Sequence, residues 1–118
     1  MSVRTVSRQE LWDLMKSGNV VVVNVLSRVS YEDMHIPGGS ISIPFDELEN
    51  GGWRKLDKSK LIITYCHNSN CGASKRAAEL IASHGYKVAA YEGGIKEWYE
   101  SGMPVEGRLA GNSNAERN

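Results

Sequence analysis

Residues 61–85 read LIITYCHNSNCGASKRAAELIASHG, and their pattern is the clearest indication of the fold class. Residues 61–65 form an apolar, β-branched run of the kind found in strands that are covered on both faces. A polar loop follows, and residues 73–84 then place apolar side chains at helical spacing before Gly85, a typical helix-ending residue. A buried strand that leads through a short loop into a helix predicts one unit of a parallel α/β sheet.

The same alternation of strands and helices extends along the rest of the chain. Ser7 and Glu10 have the spacing of a capping box, which predicts a helix from there to Gly18, and residues 20–25 predict a second buried strand. The other predicted elements are a helical turn at 31–34, a short strand around 41–43, a short helix at 45–49, a strand at 87–91 and a helix that begins at Gly93-Gly94. We therefore predict a three-layer α/β fold, with a central, mostly parallel sheet and helices on both faces.

Composition limits the size and the environment of the protein. The 118 residues are enough for one compact core, and the 14 basic and 14 acidic side chains cancel, which argues against nucleic acid and anionic membranes as partners. No apolar run is long enough to span a bilayer, and the first residues lack the apolar centre of a secretory signal, so a cytoplasmic location is expected. Residues 107–118 are small and polar and predict a disordered tail after a domain at 1–106.

The two cysteines, Cys66 and Cys71, are too close in sequence to form a disulfide that links distant segments. Their spacing favours a reactive or redox role instead. Cys66 directly follows a buried strand, at the sheet edge where α/β proteins collect their reacting groups. Backbone amides of the loop and the N-terminus of the next helix are expected to gather around its sulfur, lower its pKa and keep it reachable. A small buried hydrophobe is the simpler alternative. The predicted active-site loop comprises His67, Asn68, Ser69, Asn70, Cys71, Gly72 and Ala73.

Three blocks in order resemble a single rhodanese domain over residues 5–106. They are Asn24-Val25 with Tyr31, His35-Ile-Pro-Gly-Gly-Ser-Ile and Pro44; residues 61–66 with Ser74, Ala77, Ala78 and Leu80; and residues 91–98 with Gly102-Met-Pro104. The resemblance implies a sulfurtransferase in which Cys66 is the catalytic residue and carries sulfur as a persulfide. The implied donor is thiosulfate or a persulfide, and the implied acceptor is cyanide, a small thiol, or a thioredoxin-like or other sulfur-accepting protein. No cofactor is expected.

The sequence departs from the family pattern at two places. Asn24 and Leu26 stand where strongly active members often carry Asp-x-Arg, and the cysteine loop is longer than usual and lacks its arginine. Because Cys71 stands near that missing arginine, we expect weak activity with an anionic donor such as thiosulfate. Cys71 has two open interpretations: a resolving thiol that attacks the Cys66 persulfide, or a small residue that shapes the loop.

Other functions receive less support from the residues. A phosphatase or arsenate reductase would need an arginine six residues after its cysteine, where this chain has Gly72 or Ala77. A zinc site drawn from Cys66, His67, Cys71 and His84 lacks the spacing of a zinc knuckle, so no metal is expected. A regulatory module that senses redox state through Cys66 and Cys71, with little turnover, remains the alternative function.

Overall fold

The computed structural model describes residues 3–38 and 40–109 and contains a five-stranded sheet. The strands are β1 (Arg4–Thr5), β2 (Val20–Asn24), β3 (Ile41–Ser42), β4 (Leu61–Tyr65) and β5 (Val88–Tyr91). Their order across the sheet is β1-β5-β4-β2-β3, and every pairing is parallel. The predicted α/β fold with a central parallel sheet is confirmed, and β4 lies in the middle of the sheet as its apolar sequence requires.

Between the described strands lie four helices, and a fifth follows β5. They are α1 (Arg8–Ser17), α2 (Arg28–Asp33), α3 (Phe45–Glu49), α4 (Ala73–Ser83) and α5 (Gly94–Glu100), with a 3₁₀ turn at Gly52–Lys55. The capping box of α1 is present: Ser7 Oγ accepts from the Glu10 amide at 3.1 Å, and Glu10 Oε1 accepts from the Ser7 amide at 3.0 Å. Strand β1 was not predicted, because its two polar residues carry no strand pattern and become a strand only by pairing with β5.

The side chains of β4 alternate between two apolar layers, one on each face of the sheet. Ile63 and Tyr65 face α1 and α5, where the buried partners include Leu11, Ile95 and Trp98. Ile62 and Cys66 face α3 and α4, where the buried partners include Leu48, Ala77 and Ile81. Cys66 therefore ends the strand on the side that α4 covers.

The chain beyond α5 returns across the domain. The Trp98 indole donates to the Pro104 carbonyl at 2.7 Å, and Glu106 forms an isolated antiparallel bridge with His35. Of the predicted tail at 107–118, residues 107–109 are described and Arg108 pairs with Asp33; residues 110–118 lie outside the described part of the chain, as does Gly39. Within residues 3–38 and 40–109, no helix has the length and hydropathy needed to cross a membrane.

Candidate active site

The cysteine loop, residues 66–73, joins the end of β4 to the start of α4 at the carboxyl edge of the sheet. Its first two residues are held by the neighbouring helix α5. The Ile95 amide donates to the Cys66 carbonyl at 3.0 Å, and the Lys96 amide donates to the His67 carbonyl at 2.9 Å. These are amides of the first helical turn, which have no acceptor inside their own helix. The start of the loop is therefore fixed by tertiary contacts.

Gly94 allows this close approach of α5 to the loop. Its φ is +71°, and a Cβ at this position would lie 2.7 Å from the His67 carbonyl carbon and 2.8 Å from the Asn68 nitrogen. A residue with a side chain would have to push the loop away or move the helix. The Gly93-Gly94 pair predicts a sharp turn near the active-site loop, and the structure has Gly94 there, although no residue of α5 was among the predicted site residues.

The rest of the loop is held mainly by its own turns and is open to solvent. The Asn68 side chain accepts from the Asn70 amide at 2.9 Å, and the Asn68 carbonyl accepts from the Cys71 amide at 3.0 Å. Ser69, Asn70 and Gly72 are exposed, in contrast to the strand that precedes them. This turn carries Cys71 back towards the end of β4.

Cys66 is fully buried, with 0% of its surface exposed, and belongs to the apolar layer beneath α4. Its thiol donates to the Cys71 carbonyl at 3.3 Å. Burial and the hydrogen bond with Cys71 raise the pKa of Cys66, against the smaller opposing effects of the Ser74 amide and hydroxyl. The expectation of a lowered pKa and an exposed sulfur at Cys66 is therefore wrong, because the protein packs around this thiol and the loop presents the Cys71 carbonyl to it.

Cys71 has the environment that was expected for Cys66. It is partly exposed, and although partial burial raises its pKa, the hydrogen bonds to its sulfur outweigh that effect and lower the pKa below the ordinary thiol value. These bonds come from the Cys66 thiol and from the backbone amides of Ala73 and His67. Hydrogen bonds of this kind favour the thiolate form of Cys71.

Ser74 lies next to the buried thiol in the first turn of α4. Its hydroxyl is fully buried and has no hydrogen-bond partner among the described residues, although it is close enough to Cys66 to oppose the rise in the thiol pKa. Its carbonyl accepts from Thr64 Oγ1 at 2.6 Å, which ties the start of α4 to β4. A buried hydroxyl without an acceptor is able to donate to an anionic sulfur at position 66.

Two cavities flank the loop, and neither lining includes a cysteine. A polar cavity of about 380 Å³ lies between the loop and α5, lined by Asn68, Ser69, Asn70, Gly93, Lys96, Glu97, Glu100 and Ser101. A more apolar cavity of about 350 Å³ lies on the other side of His67, where Leu26, Met34, Ile95, Tyr99 and Leu109 contribute to the wall. Carboxylates in the polar cavity disfavour an anionic substrate, since Lys96 is already paired with Glu100 at 3.4 Å.

The positions considered for other chemistries do not assemble into a site. His84 stacks on Trp53 with ring centroids 3.6 Å apart, at the opposite end of α4 from the loop. In the part of the chain that the structure describes, no three His, Cys, Asp or Glu side chains are grouped as metal ligands. Arg76 follows the loop but lies over the Phe45 ring at 4.9 Å and not at either thiol.

The departure at Asn24 has a structural explanation. Asn24 is fully buried at the end of β2, and its Oδ1 accepts from the Leu26 amide at 2.9 Å. The side chain thus shapes the turn after the strand, next to the loop that carries the cysteines. Leu26 itself lines the apolar cavity beside His67.

Comparison with known proteins agrees with this architecture. Residues 7–101 match the family model described as Rhodanese-like domain. The chain belongs to the rhodanese-like family. This rhodanese-like chain is 28% identical over 99 residues to the thiosulfate sulfurtransferase GlpE of Coxiella burnetii, covering 83% of the chain and 89% of GlpE. The crystal structure of BH2092 from Bacillus halodurans superimposes with a TM-score of 0.82 at 33% identity, covering 90% of this chain and 78% of that one.

A longer protein also contains a region similar to this rhodanese-like chain. The HTH-type transcriptional regulator Rv0324 of Mycobacterium tuberculosis is 31% identical to it over 101 residues. The match covers 86% of this chain but 44% of the regulator, so the chain spans less than half of that relative. The family thus supplies both a sulfurtransferase and a regulator as relatives.

Proposed function

We propose that this protein is a sulfurtransferase that holds a sulfane sulfur as a cysteine persulfide in the loop 66–73 and passes it to a thiol. One observation carries the proposal: two free thiols lie in one loop at the carboxyl edge of the sheet, where hydrogen bonds that include backbone amides lower the pKa of Cys71. A thiolate held in this way attacks the outer sulfur of a donor by the same displacement that governs disulfide exchange. The amides also stabilise the anionic persulfide between the two steps.

The charges around the loop favour a persulfide over thiosulfate as the donor. Thiosulfate is a dianion, and Glu97 and Glu100 line the cavity next to the loop while Arg76 is engaged with Phe45. In a persulfide the reacting group carries at most one negative charge, whereas thiosulfate carries two. The proposed acceptor is a small thiol or the exposed thiol of a thioredoxin-like protein, and a reducing compartment such as the cytoplasm suits both free cysteines.

The test compares donors on the wild-type protein and on the double variant Cys66→Ser/Cys71→Ser. Each protein is incubated with glutathione persulfide, polysulfide or thiosulfate, then with a thiol acceptor, and transferred sulfur and sulfide are measured. We expect transfer from glutathione persulfide to be at least about tenfold faster than from thiosulfate, and to be lost in the double variant. Equal rates in the wild type and the double variant would contradict the proposal.

A second candidate function is a regulatory dithiol module that responds to oxidation with little turnover. Two observations favour it: the burial of Cys66, and the similarity to a transcriptional regulator over most of this chain. This function predicts reversible formation of a Cys66–Cys71 disulfide by an oxidant, with no transfer of sulfur to any acceptor. The donor assay above separates the two functions, because only the sulfurtransferase passes sulfur to the acceptor over repeated turnovers.

A further inference from the structure

The first turn of α4 lies over the face of β4 that carries Cys66. Alternation along the strand puts Thr64 and Cys66 on the same face, and Thr64 Oγ1 donates to the Ser74 carbonyl at 2.6 Å. Ala77, one turn further along α4, belongs to the same apolar layer as Cys66. Thr64, Cys66 and Ser74 are all fully buried. Ser74 is therefore held over the end of β4, beside the thiol.

The Ser74 hydroxyl is unpartnered in this state of the protein. Its oxygen is buried and has no hydrogen-bond partner among the described residues. A buried polar group without a partner is costly, so its presence in a packed core calls for an explanation. A partner that forms only during the reaction supplies one, because a hydroxyl can turn to donate to a new anion.

The partners of Cys66 suit a thiol better than a thiolate. The Cys66 thiol donates to the Cys71 carbonyl at 3.3 Å, and the Asn68 carbonyl lies 4.0 Å from the same sulfur. Carbonyl oxygens only accept hydrogen bonds, so both contacts become unfavourable once the proton leaves. An anionic sulfur needs donors instead, and the Ser74 hydroxyl is an unused donor on the same face of the strand.

We propose, on the basis of the sulfurtransferase function above and with Cys66 as the sulfur carrier, that the Ser74 hydroxyl donates a hydrogen bond to the Cys66 sulfur whenever that sulfur is an anion in the reaction. Thr64 is then a positioning residue, because it acts on the site by holding the Ser74 backbone. The direction in which the Ser74 hydroxyl and amide move the pKa of Cys66, downward against burial, agrees with this role.

The hydroxyl serves the same atom in both halves of the reaction. First, the Cys66 thiolate attacks the outer sulfur of a persulfide R–S–SH, an S–S bond forms to Cys66, the S–S bond of the donor breaks, and R–S⁻ leaves. In the second half, an acceptor thiolate attacks the outer sulfur of the Cys66 persulfide, and Cys66 leaves as a thiolate. Each half exchanges one S–S bond for another, so no oxidant is needed. Cys66 is anionic at the start of the first half and at the end of the second, when the donor is required.

The surroundings of Cys66 leave few other groups to carry out this task. Cys71 is the titratable group that acts on Cys66 directly, and the His67 side chain lines the apolar cavity beyond the loop. The elements packed on this side of β4 contribute apolar side chains such as Leu48 and Ala77. The charged side chains of α3 and α4 are at least partly exposed: Asp46, Glu47, Glu49, Lys75, Arg76 and Glu79.

The experiment measures sulfur loading of Cys66 alone, in a Cys71→Ser background that contains no second thiol. Glutathione persulfide is the donor, and intact mass gives the loading rate across a range of pH. We expect Ser74→Ala to slow loading at pH 7 about tenfold and to move the midpoint of the pH–rate curve up by about one unit, because the thiolate loses a donor. The donor concentration at half-maximal rate should stay the same. The ionisation of the donor is common to all variants and does not affect the comparison.

Three further variants separate the hydroxyl from a merely structural effect. Ser74→Thr retains a hydroxyl and should restore the rate and the midpoint. Thr64→Val should slow loading about threefold, with a smaller rise of the midpoint, and should add nothing when combined with Ser74→Ala. Ser83→Ala is the matched control: it removes an exposed serine hydroxyl of the same helix, which donates to the Leu80 carbonyl at 2.6 Å, and should change neither value.

The outcomes distinguish this inference from the function on which it rests. A Ser74→Ala protein with the rate and midpoint of its parent would overturn the role of Ser74 and leave the sulfurtransferase function standing. Loading of wild type but not of the Cys71→Ser parent would overturn Cys66 as the carrier. Absence of loading in both would defeat the sulfurtransferase function itself. Should Ser74→Ala fail to fold, an unchanged midpoint in Thr64→Val would overturn the proposal and a raised one would support it.

Discussion

The two halves of the cysteine loop are held in different ways. At the start of the loop, the Cys66 and His67 carbonyls are fixed by amides of α5, and the Cys66 side chain is packed under α4. The following residues rest on hydrogen bonds to Asn68 and are open to solvent. Cys66, which directly follows the strand, therefore has a fixed backbone and a buried sulfur with a raised pKa. Cys71, which the loop brings back towards Cys66, is partly exposed and has a lowered pKa.

The largest expected effect is a loss of stability when the contact between α5 and the start of the loop, at Cys66 and His67, is disrupted. Gly94 and Gly102 both have a positive φ, of 71° and 80°, but a Cβ at Gly94 meets the His67 and Asn68 backbone while one at Gly102 meets nothing within 4 Å. Gly94→Ala should lower the free energy of unfolding by about 3 kcal/mol, and Gly102→Ala by about 1 kcal/mol. Urea unfolding measures both, and equal losses would show that the contact with α5 is unimportant.

The next largest effect is a difference between Cys66 and Cys71 in the rate at which each thiol is alkylated. Because the thiolate is the reactive form, the lowered pKa of Cys71 gives it reactivity at lower pH, and the raised pKa of Cys66 keeps it inert until higher pH. At pH 7 we expect iodoacetamide to modify Cys71 at least about tenfold faster than Cys66, a gap that narrows as the pH rises. Peptide mapping of the native protein gives both rates. Faster modification of Cys66 at pH 7 would reverse the assignment of the two environments.

The smallest expected effect is the change in the free energy of unfolding when the buried hydroxyl of Thr64 or of Ser74 is removed. Thr64→Val removes a buried 2.6 Å hydrogen bond to the Ser74 carbonyl and should cost about 1 kcal/mol of stability. Ser74→Ala removes a hydroxyl that has no partner among the described residues, so the free energy of unfolding should change by less than about 0.5 kcal/mol. The same variant should raise the pKa of Cys66 further, since the Ser74 hydroxyl opposes that rise. A stability loss in Ser74→Ala as large as that in Thr64→Val would indicate a hydrogen bond of similar strength at Ser74.

Local patterns were sufficient for most of the fold. The capping box at Ser7 and Glu10 sets the start of α1, and the apolar run at Leu61–Tyr65 coincides with β4. Both patterns involve residues that are close together in the sequence, and the side chains that become buried can be predicted from the apolar periodicity of each element. The strand β1 was missed because its two residues are defined by their partner Ala89 and Ala90 in β5 and by no pattern of their own.

A parallel α/β sheet and a pair of cysteines in a polar loop at its carboxyl edge could be predicted from the amino-acid sequence, because strand and helix periodicity and loop composition are local properties. Which sulfur is covered, and in which direction each thiol pKa shifts, follows from the packing of the folded chain. Solvent access and hydrogen bonding depend on α4, which packs over Cys66, and on the turn that brings His67 and Ala73 together around Cys71. A pKa follows the final surroundings of a group, and those are assembled from segments that are apart in the chain.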